Sequence, residues 1–132
     1  MTDSTRAHEP ADPSVQTILI VDDDEGIGEF LVTALTMEAN YRALLMPNAA
    51  LALEAVKTLI PNLFILDYQL PGINGLALAD LLHAIDTLKY IPVLLMSANP
   101  PKQELEQRSM TFLEKPFELD AFLQAVEHSL AG

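Results

Sequence analysis

The sequence predicts an α/β protein in which helices cover both faces of a doubly wound, five-stranded parallel sheet. Two observations predict it. Short apolar runs alternate with longer stretches of helical period along the 132 residues. At least three of the runs are apolar throughout, which is typical of strands buried on both faces of a parallel sheet. Right-handed crossovers between such strands then place helices on both sides of the sheet.

Five apolar runs are the predicted strands. In chain order they are TILIV (17–21), YRALLM (41–46), LFIL (63–66), IPVLLM (91–96) and MTFL (110–113). The stretch after the first run has one apolar helical face, formed by Ile27, Phe30, Leu31, Ala34 and Leu35.

Capping residues and a proline mark the ends of the later predicted helices. Asn48 can cap a helix over 49–60, which Pro61 ends. Asn74 can cap a helix over 75–85, and a last helix is predicted over 117–130. We expect residues 1–14, which are polar and contain two prolines, to be a disordered leader, and residues 15–132 to be the folded domain.

Composition excludes several classes of function. Seven Lys and Arg against 19 Asp and Glu give a net charge of −12, which disfavours direct nucleic-acid binding and docking on an anionic membrane. There is no cysteine, so disulfides and thiolate sites are excluded. No apolar run is long enough for a membrane span, and the first residues lack the apolar stretch of a signal peptide. We therefore expect a cytoplasmic protein.

Polar side chains follow four of the five predicted strands. An acidic run from Asp22 to Glu25 follows the first strand, Asp67 follows the third, Ser97 the fourth and Lys115 the fifth. Because sites in open parallel sheets form at the carboxyl ends of the strands, these groups are expected to converge. The alternative for the acidic run is a solvated turn with no function. The solvated-turn alternative explains Asp67 less well, because Asp67 ends an apolar strand, where a buried carboxylate needs partners.

Converging carboxylates predict a cation and a reaction. One ammonium, that of Lys115, cannot balance three carboxylates, whereas an all-oxygen donor set suits Mg²⁺ or Mn²⁺. An aspartate beside a divalent cation and a lysine can attack phosphorus and form an aspartyl phosphate. The metal and the ammonium would offset charge on the phosphoryl oxygens, and the Ser97 hydroxyl could donate to one of them.

The motifs that carry these residues resemble a known family. ILIVDDDEG (18–26), LFILDYQLPGING (63–75), IPVLLMSAN (91–99) and FLEKPF (112–117) occur in the order found in the receiver, or chemotaxis-regulator-like, domain of two-component response regulators. The resemblance covers roughly residues 15–130. It implies a flavodoxin-like sheet of strand order 2-1-3-4-5.

The resemblance also assigns the metal ligands and the phosphoacceptor. Asp67 is similar to the phosphoacceptor of the family. Asp22 and Asp23 are similar to the acidic pair that helps to hold Mg²⁺, together with Asp67 and the backbone carbonyl of Gln69. Pro71, Gly72 and Gly75 match the loop that follows the phosphorylated strand.

The remaining family positions concern catalysis and switching. Ser97 and Lys115 match the family's switch hydroxyl and its lysine, so the resemblance gives both a catalytic part. Phe112 matches the switch aromatic, here without a phenol hydroxyl. The peptide before Pro116 is usually cis in the family.

The implied function is a signalling phosphoacceptor rather than an enzyme, with intrinsic autophosphorylation and autodephosphorylation. A histidine kinase or phosphotransfer protein would supply the phosphoryl group from a phosphohistidine. The output would pass through protein–protein contacts to an unknown partner, from a monomer or a weak homodimer. Two alternatives stay open: a receiver-fold binding module that acts without phosphorylation, and a phosphorelay intermediate.

One segment departs from the family pattern. Ser97 and Lys115 are closer in sequence than is usual, and Pro100 and Pro101 delay the start of the fourth helix. We expect that helix to span about two turns over 102–109, or to be an irregular loop. That face commonly carries dimerisation and output, so its shortening puts the usual dimer in question.

Overall fold

The computed structural model describes residues 14–108 and 110–131 and shows one five-stranded parallel sheet of order β2-β1-β3-β4-β5. This confirms the predicted fold class and strand order. The predicted leader, residues 1–14, lies outside the described residues except for its last position. No helix in the described part of the chain is long and apolar enough to span a membrane.

Burial separates the central strands from the edge strands. β1, β3 and β4 are buried at every residue, as their unbroken apolar sequences predict, because helices cover both faces there. β2 and β5 lie at the edges and are partly exposed. The strands are β1 Thr17–Val21, β2 Arg42–Met46, β3 Leu63–Asp67, β4 Val93–Ser97 and β5 Thr111–Glu114.

Five helices connect and follow the strands. Two predicted caps are confirmed: the side chains of Asn48 and Asn74 accept from the backbone N–H of Leu51 and Ala77, both at 2.8 Å. Asp24 caps the first helix by accepting from the N–H of Ile27 at 3.1 Å. The helices are α1 Glu25–Thr33, α2 Ala49–Ala55, α3 Gly75–His83, α4 Lys102–Glu106 and α5 Leu119–Ala131.

Several predicted helix ends were wrong. α2 ends at Ala55 rather than near residue 60, and tighter backbone bonds follow, such as that from the N–H of Thr58 to the Ala55 carbonyl. After these turns, Asn62 pairs with Thr17 through two bonds of 2.7 Å, directly before β3. The stretch after α3 similarly forms a separate 3-10 turn, Asp86–Leu88.

Two further differences concern α1 and α4. α1 continues as a π-helical segment, Ala34–Glu38, before β2. The short fourth helix is confirmed, with five residues rather than the eight of the longest prediction. It begins directly after Pro101, and in it Leu105 alone is buried.

The core has two halves, one on each face of the sheet. One half packs α2, α3 and α4 against the sheet, and its members include Leu19, Phe64, Leu82, Leu95 and Leu105. The other packs α1 and α5 against the opposite face, with Leu31, Leu35, Phe122 and Val126 among its members. Side chains alternate between the halves along each central strand, so both faces hold the carboxyl ends of the strands in fixed positions.

Candidate functional site

The polar residues predicted to converge do meet at the carboxyl edge of the sheet. Asp67 is the last residue of β3 and pairs with Met96, next to Ser97 at the end of β4. The backbone N–H of Lys115 donates to the Ser97 carbonyl at 2.9 Å. The N–H of Asp22, which follows β1, donates to the Met46 carbonyl at 3.2 Å. Strand pairing thus brings residues 93 positions apart to one edge.

Three carboxylates form a compact cluster at this edge. Oxygens of Asp22, Asp23 and Asp67 all lie within 4.8 Å of one another. Asp22 is 1% exposed and Asp67 is 6% exposed, whereas Asp23 lies at the solvent side of the cluster. Buried like charges at this distance repel one another, so the cluster calls for cations.

Lys115 supplies one positive charge. Its Nζ donates to Asp67 Oδ1 at 3.2 Å and lies 4.0 Å from Asp22 Oδ2, a distance that gives attraction without a hydrogen bond. The Lys115–Pro116 peptide is cis, as the family resemblance implied. The ammonium therefore reaches two carboxylates but fully pairs with one.

Asp22 is the least compensated member of the cluster. Its Oδ1 accepts from the N–H of Asp24 at 2.9 Å, but its buried Oδ2 has no hydrogen-bond partner among the described residues. Burial raises the pKa of Asp22, and the charge of Asp67 adds to this rise. The Asp24 N–H and Lys115 oppose it without cancelling it. A buried anionic oxygen without a partner needs another positive charge.

These observations fit a hard divalent cation. The cluster offers three carboxylates and, in the part of the chain described, no histidine close enough to join them. An all-oxygen donor set suits Mg²⁺. Asp22 Oδ2 is directed at no protein donor and is thus available as a ligand. Gln69 lines the same cleft, where sequence reasoning placed its carbonyl as a ligand.

Asp23 and Asp67 of the cluster line an open cleft of about 650 Å³, together with Ser97 and Lys115. Ser97 is buried, and its Oγ accepts from the N–H of Asn99 at 3.0 Å. The predicted catalytic residues therefore share one cavity. Phe112 does not line it: this side chain sits on the edge strand β5 and is 41% exposed.

Gly75 allows a close contact between α3 and the end of β3. Its N–H donates to the Tyr68 carbonyl at 2.8 Å, at the start of α3. A Cβ at this position would lie 2.6 Å from the Asp67 carbonyl oxygen and 2.8 Å from Leu95 Cδ1. Only glycine lets α3 begin this close to the end of β3.

An apolar groove beside the cleft was missed at the sequence level. Ile27, Phe30, Pro116 and Phe117 line it, and it shares Lys115 and Ala98 with the cleft. Sequence periodicity placed Phe30 on the core face of α1, but the structure leaves it 51% exposed. That prediction was wrong because helical period identifies an apolar face without identifying what covers each part of it. Asp24 likewise proved to be a helix cap.

Comparison with known proteins identifies the family of this site. The family model "Response regulator receiver domain" matches residues 18–127. The chain is a response regulator receiver domain. This receiver shares 36% identity over 118 residues with the phosphate regulon transcriptional regulatory protein PhoB of Pseudomonas aeruginosa, covering 84% of the chain and 51% of the relative. The receiver thus spans about half the length of this curated relative.

A second relative supports the family, and a solved structure supports the fold. The receiver is 30% identical over 119 residues to sporulation initiation phosphotransferase F of Bacillus subtilis, covering 87% of the chain and 94% of the relative. The structure of the chemotaxis response regulator CheY4 of Vibrio cholerae superposes with a TM-score of 0.81 at 21% identity, covering 88% of this chain and 99% of that one. The receiver therefore has the expected fold and belongs to the proteins of two-component signalling.

Proposed function

We propose that this receiver accepts a phosphoryl group on Asp67 from a phosphohistidine of a histidine kinase or phosphotransfer protein. The observation that carries the proposal is the geometry of Asp67. Its carboxylate ends a buried strand, accepts from Lys115 at 3.2 Å and faces an open cleft. A carboxylate oxygen attacks phosphorus as the phosphorus–nitrogen bond breaks, and the imidazole leaves with the electron pair and takes up a proton.

Lys115 and Ser97 act on the transferred group. The Lys115 ammonium offsets negative charge on a phosphoryl oxygen, because it already lies beside the attacking carboxylate. Ser97 lines the same cleft, and its hydroxyl can donate to another phosphoryl oxygen once it turns from its present position. Both residues are held by adjacent strand ends, so they are in place before the phosphoryl group arrives.

Mg²⁺ is the proposed cofactor. Asp22, Asp23, Asp67 and the carbonyl of Gln69 would hold it, and Mn²⁺ would suit the same oxygens. When bound, the ion supplies positive charge that offsets the phosphoryl oxygens and permits close approach to an acidic site. The unpartnered Oδ2 of Asp22 supports this assignment independently of the resemblance.

The signal leaves through contacts with another protein. Phosphorylation adds negative charge at Asp67, draws Ser97 towards the phosphoryl group and lets Phe112 on the neighbouring strand β5 change its packing. The partly exposed ring of Phe112 can then favour one of two surface states. We propose that the protein is a signalling phosphoacceptor rather than a turnover enzyme. It resides in the cytoplasm and acts as a monomer or a weak homodimer.

The apolar groove offers a contact surface for the phosphodonor protein. It adjoins the cleft through Ala98 and Lys115, so a protein seated on it brings its phosphohistidine near Asp67. Phe30 and Phe117 provide aromatic area of the kind that anchors protein interfaces. This continuity between groove and cleft supports a protein donor in addition to a small-molecule donor.

The decisive experiment measures intact mass after incubation with acetyl phosphate. We expect the wild-type protein to gain one phosphoryl group when Mg²⁺ is present and none after the metal is removed. Asp67→Asn should gain none, because it lacks the nucleophilic oxygen. The control Asp86→Asn removes an exposed carboxylate outside the cleft and should behave as wild type. A folded wild-type protein that takes up no phosphoryl group would support the binding module that acts without phosphorylation.

A phosphorelay intermediate is the second candidate. Similarity along 94% of a relative named as a phosphotransferase favours it. In this case Asp67 would pass its phosphoryl group to a histidine of a second protein. The lifetime of the phosphorylated protein separates the two functions, because an intermediate must keep the acyl phosphate until that protein arrives. A half-life of seconds would exclude the intermediate, and one of hours would favour it.

A further inference from the structure

We propose that a cavity at the amino-terminal end of the sheet, opposite the phosphorylation site, binds a small phosphate-bearing anion. The cavity measures about 410 Å³ and lies where β4 and β5 begin. Its walls come from the end of α3, the segment before β4, the segment before β5 and the end of α5. It shares no lining residue with the cleft that holds Asp67.

The charge of this cavity is opposite to that of the molecule. The chain carries a net charge of −12, yet its cavity is lined by Lys89, Arg108, His83 and His128. These are two of the seven Lys and Arg residues and two of the three histidines of the sequence. None of the described residues that line the cavity is acidic. Lys89 and Arg108 supply the positive charge that attracts an anion against the overall field of the protein, and Asp80 offsets part of the Arg108 charge.

The structure fixes part of the donor set. The ring of His83 is half-buried, and its Nε2 lies 2.8 Å from the carbonyl oxygen of Ile91. A carbonyl can only accept, so Nε2 carries the hydrogen. This bond holds the imidazole at the cavity wall and leaves Nδ1 to accept from a monoprotonated phosphate.

Arg108 and Lys89 also line the cavity. An ion pair with Asp80 on α3 holds the Arg108 guanidinium, which retains further N–H donors in its planar fork. Lys89 Nζ lies 5.2 Å from the centre of the Tyr90 ring. Thr111 adds a hydroxyl at the start of β5. The remaining N–H groups of Arg108, the Lys89 ammonium and the Thr111 hydroxyl are donors that match the several acceptor oxygens of a phosphate.

Size restricts the ligand further. A cavity of about 410 Å³ falls in the range of small-molecule sites and is far larger than a single phosphate needs. The anion can therefore carry an organic part, for which Tyr90, Ile91 and Met110 provide apolar surface. The chemistry common to all such ligands is the phosphate group.

The test is a titration of metal-free protein with inorganic phosphate at constant ionic strength, followed by amide chemical shifts. A titration with citrate tests whether a carboxylate anion binds in the same way, and one with chloride tests for non-specific anion effects. We expect saturable shifts confined to residues around 83, 89–93, 108–111 and 128–129, with phosphate binding more tightly than citrate. Lys89→Gln and Arg108→Gln should each weaken binding by about tenfold, the effect of losing one charge-assisted hydrogen bond.

The matched control is Lys57→Gln. Lys57 is exposed, pairs with Glu54 on the surface and lies outside the cavity, so the variant removes the same charge elsewhere. Unchanged phosphate affinity in this variant supports the site. Linear shifts without saturation, equal weakening in Lys57→Gln, or shifts centred on Asp67 and Lys115 would each overturn the proposal. None of these outcomes depends on whether Asp67 accepts a phosphoryl group.

Discussion

At the scale of single residues, the site is defined by how unequally its carboxylates are compensated. Asp67 accepts from Lys115, while Asp22 lies buried with one oxygen that has no hydrogen-bond partner among the described residues. Desolvation therefore falls most heavily on Asp22, and in the absence of metal its charge opposes folding. A residue that destabilises the metal-free protein and is kept at a cleft is typical of a binding site.

Asp22 should make metal-free stability depend on pH. Its pKa is raised above 3.8 by burial, so between that value and its folded pKa the native state binds more protons than the unfolded state. The contribution of Asp22 to the free energy of unfolding then falls as pH rises through this window, and the loss persists at neutral pH. In the absence of divalent metal, we expect Asp22→Asn to be more stable than wild type at pH 7.

Urea unfolding of both proteins from pH 3 to pH 7 measures this effect. The advantage of Asp22→Asn should disappear below about pH 3.8, where the aspartate is protonated in both states. Asp23→Asn is the control, because Asp23 is exposed and should change stability much less. Equal stability of wild type and Asp22→Asn at pH 7 would show that the charge of Asp22 is compensated in the protein itself.

Gly75 should be intolerant of a side chain. In Gly75→Ala the new Cβ meets the Asp67 carbonyl and Leu95, so either α3 or the end of β3 must shift. We expect a loss of about 1–3 kcal/mol in the free energy of unfolding, as for other overpacked sites. Phosphorylation by acetyl phosphate should also slow, because the Asp67 backbone moves.

Gly26→Ala is the matched control for this change. A Cβ there would meet only Asp24 Oδ1, at an ordinary 3.5 Å, in the first turn of α1. That variant should be as stable as wild type or slightly more stable, because alanine loses less backbone entropy in a helix. Similar urea midpoints for Gly75→Ala and Gly26→Ala would refute the packing argument.

At the scale of elements, the fourth helix is the shortest α-helix in the described part of the chain. It has five residues, begins directly after two prolines and buries only Leu105. A helix of this length is unstable by itself, so the contact of Leu105 with the core must hold it in place. The Arg108–Asp80 ion pair ties the following residues to α3. The segment between β4 and β5 is therefore able to open locally without disturbing the sheet.

Leu105→Ala tests the dependence of α4 on one side chain. We expect a loss of about 2 kcal/mol, at the low end for a buried leucine, because a short surface helix can relax into the space left. Amide exchange over 102–106 should accelerate more than exchange in β4. The control Leu51→Ala removes a half-exposed leucine from α2 and should lose well under 1 kcal/mol. Uniform acceleration of amide exchange throughout the domain would show that α4 unfolds only when the whole domain unfolds.

At the scale of the whole molecule, charge is distributed very unevenly. The net charge of −12 includes a cluster of carboxylates at the carboxyl edge of the sheet, whereas cationic side chains gather at the opposite end. The repulsion among carboxylates weakens the folded state unless a cation binds. Occupation of the site by Mg²⁺ should therefore stabilise the entire domain, because only the folded chain assembles the three ligands.

Thermal unfolding with and without Mg²⁺ checks this expectation. At a Mg²⁺ concentration about 100 times Kd, binding adds about 2.7 kcal/mol, which corresponds to a rise in Tm of several degrees. Sodium chloride at the same ionic strength should raise Tm less, since it screens charge without occupying the site. Asp23→Asn should reduce the part specific to Mg²⁺. An equal rise in Tm with both salts would show that Mg²⁺ acts only by screening charge.

The sequence by itself determined the fold class, the order of the elements and which polar residues meet at the carboxyl edge of the sheet. Asp67, Ser97 and Lys115 each follow an apolar strand, and parallel strands must bring their carboxyl ends together. Buried strands are recognisable as unbroken apolar runs because helices cover both of their faces. Asn48 and Asn74 were readable as caps because capping depends on residues within one turn.

Only the tertiary structure decided what covers each surface. It exposed Phe30, ended α2 at Ala55 and left Asp22 Oδ2 without a hydrogen-bond partner among the described residues. It also gathered Lys89, Arg108 and two histidines from four separate segments into one cavity, where the sequence shows only scattered residues. Periodicity is a local property, whereas burial and charge pairing depend on contacts between residues that are distant along the chain, so no local pattern can contain them.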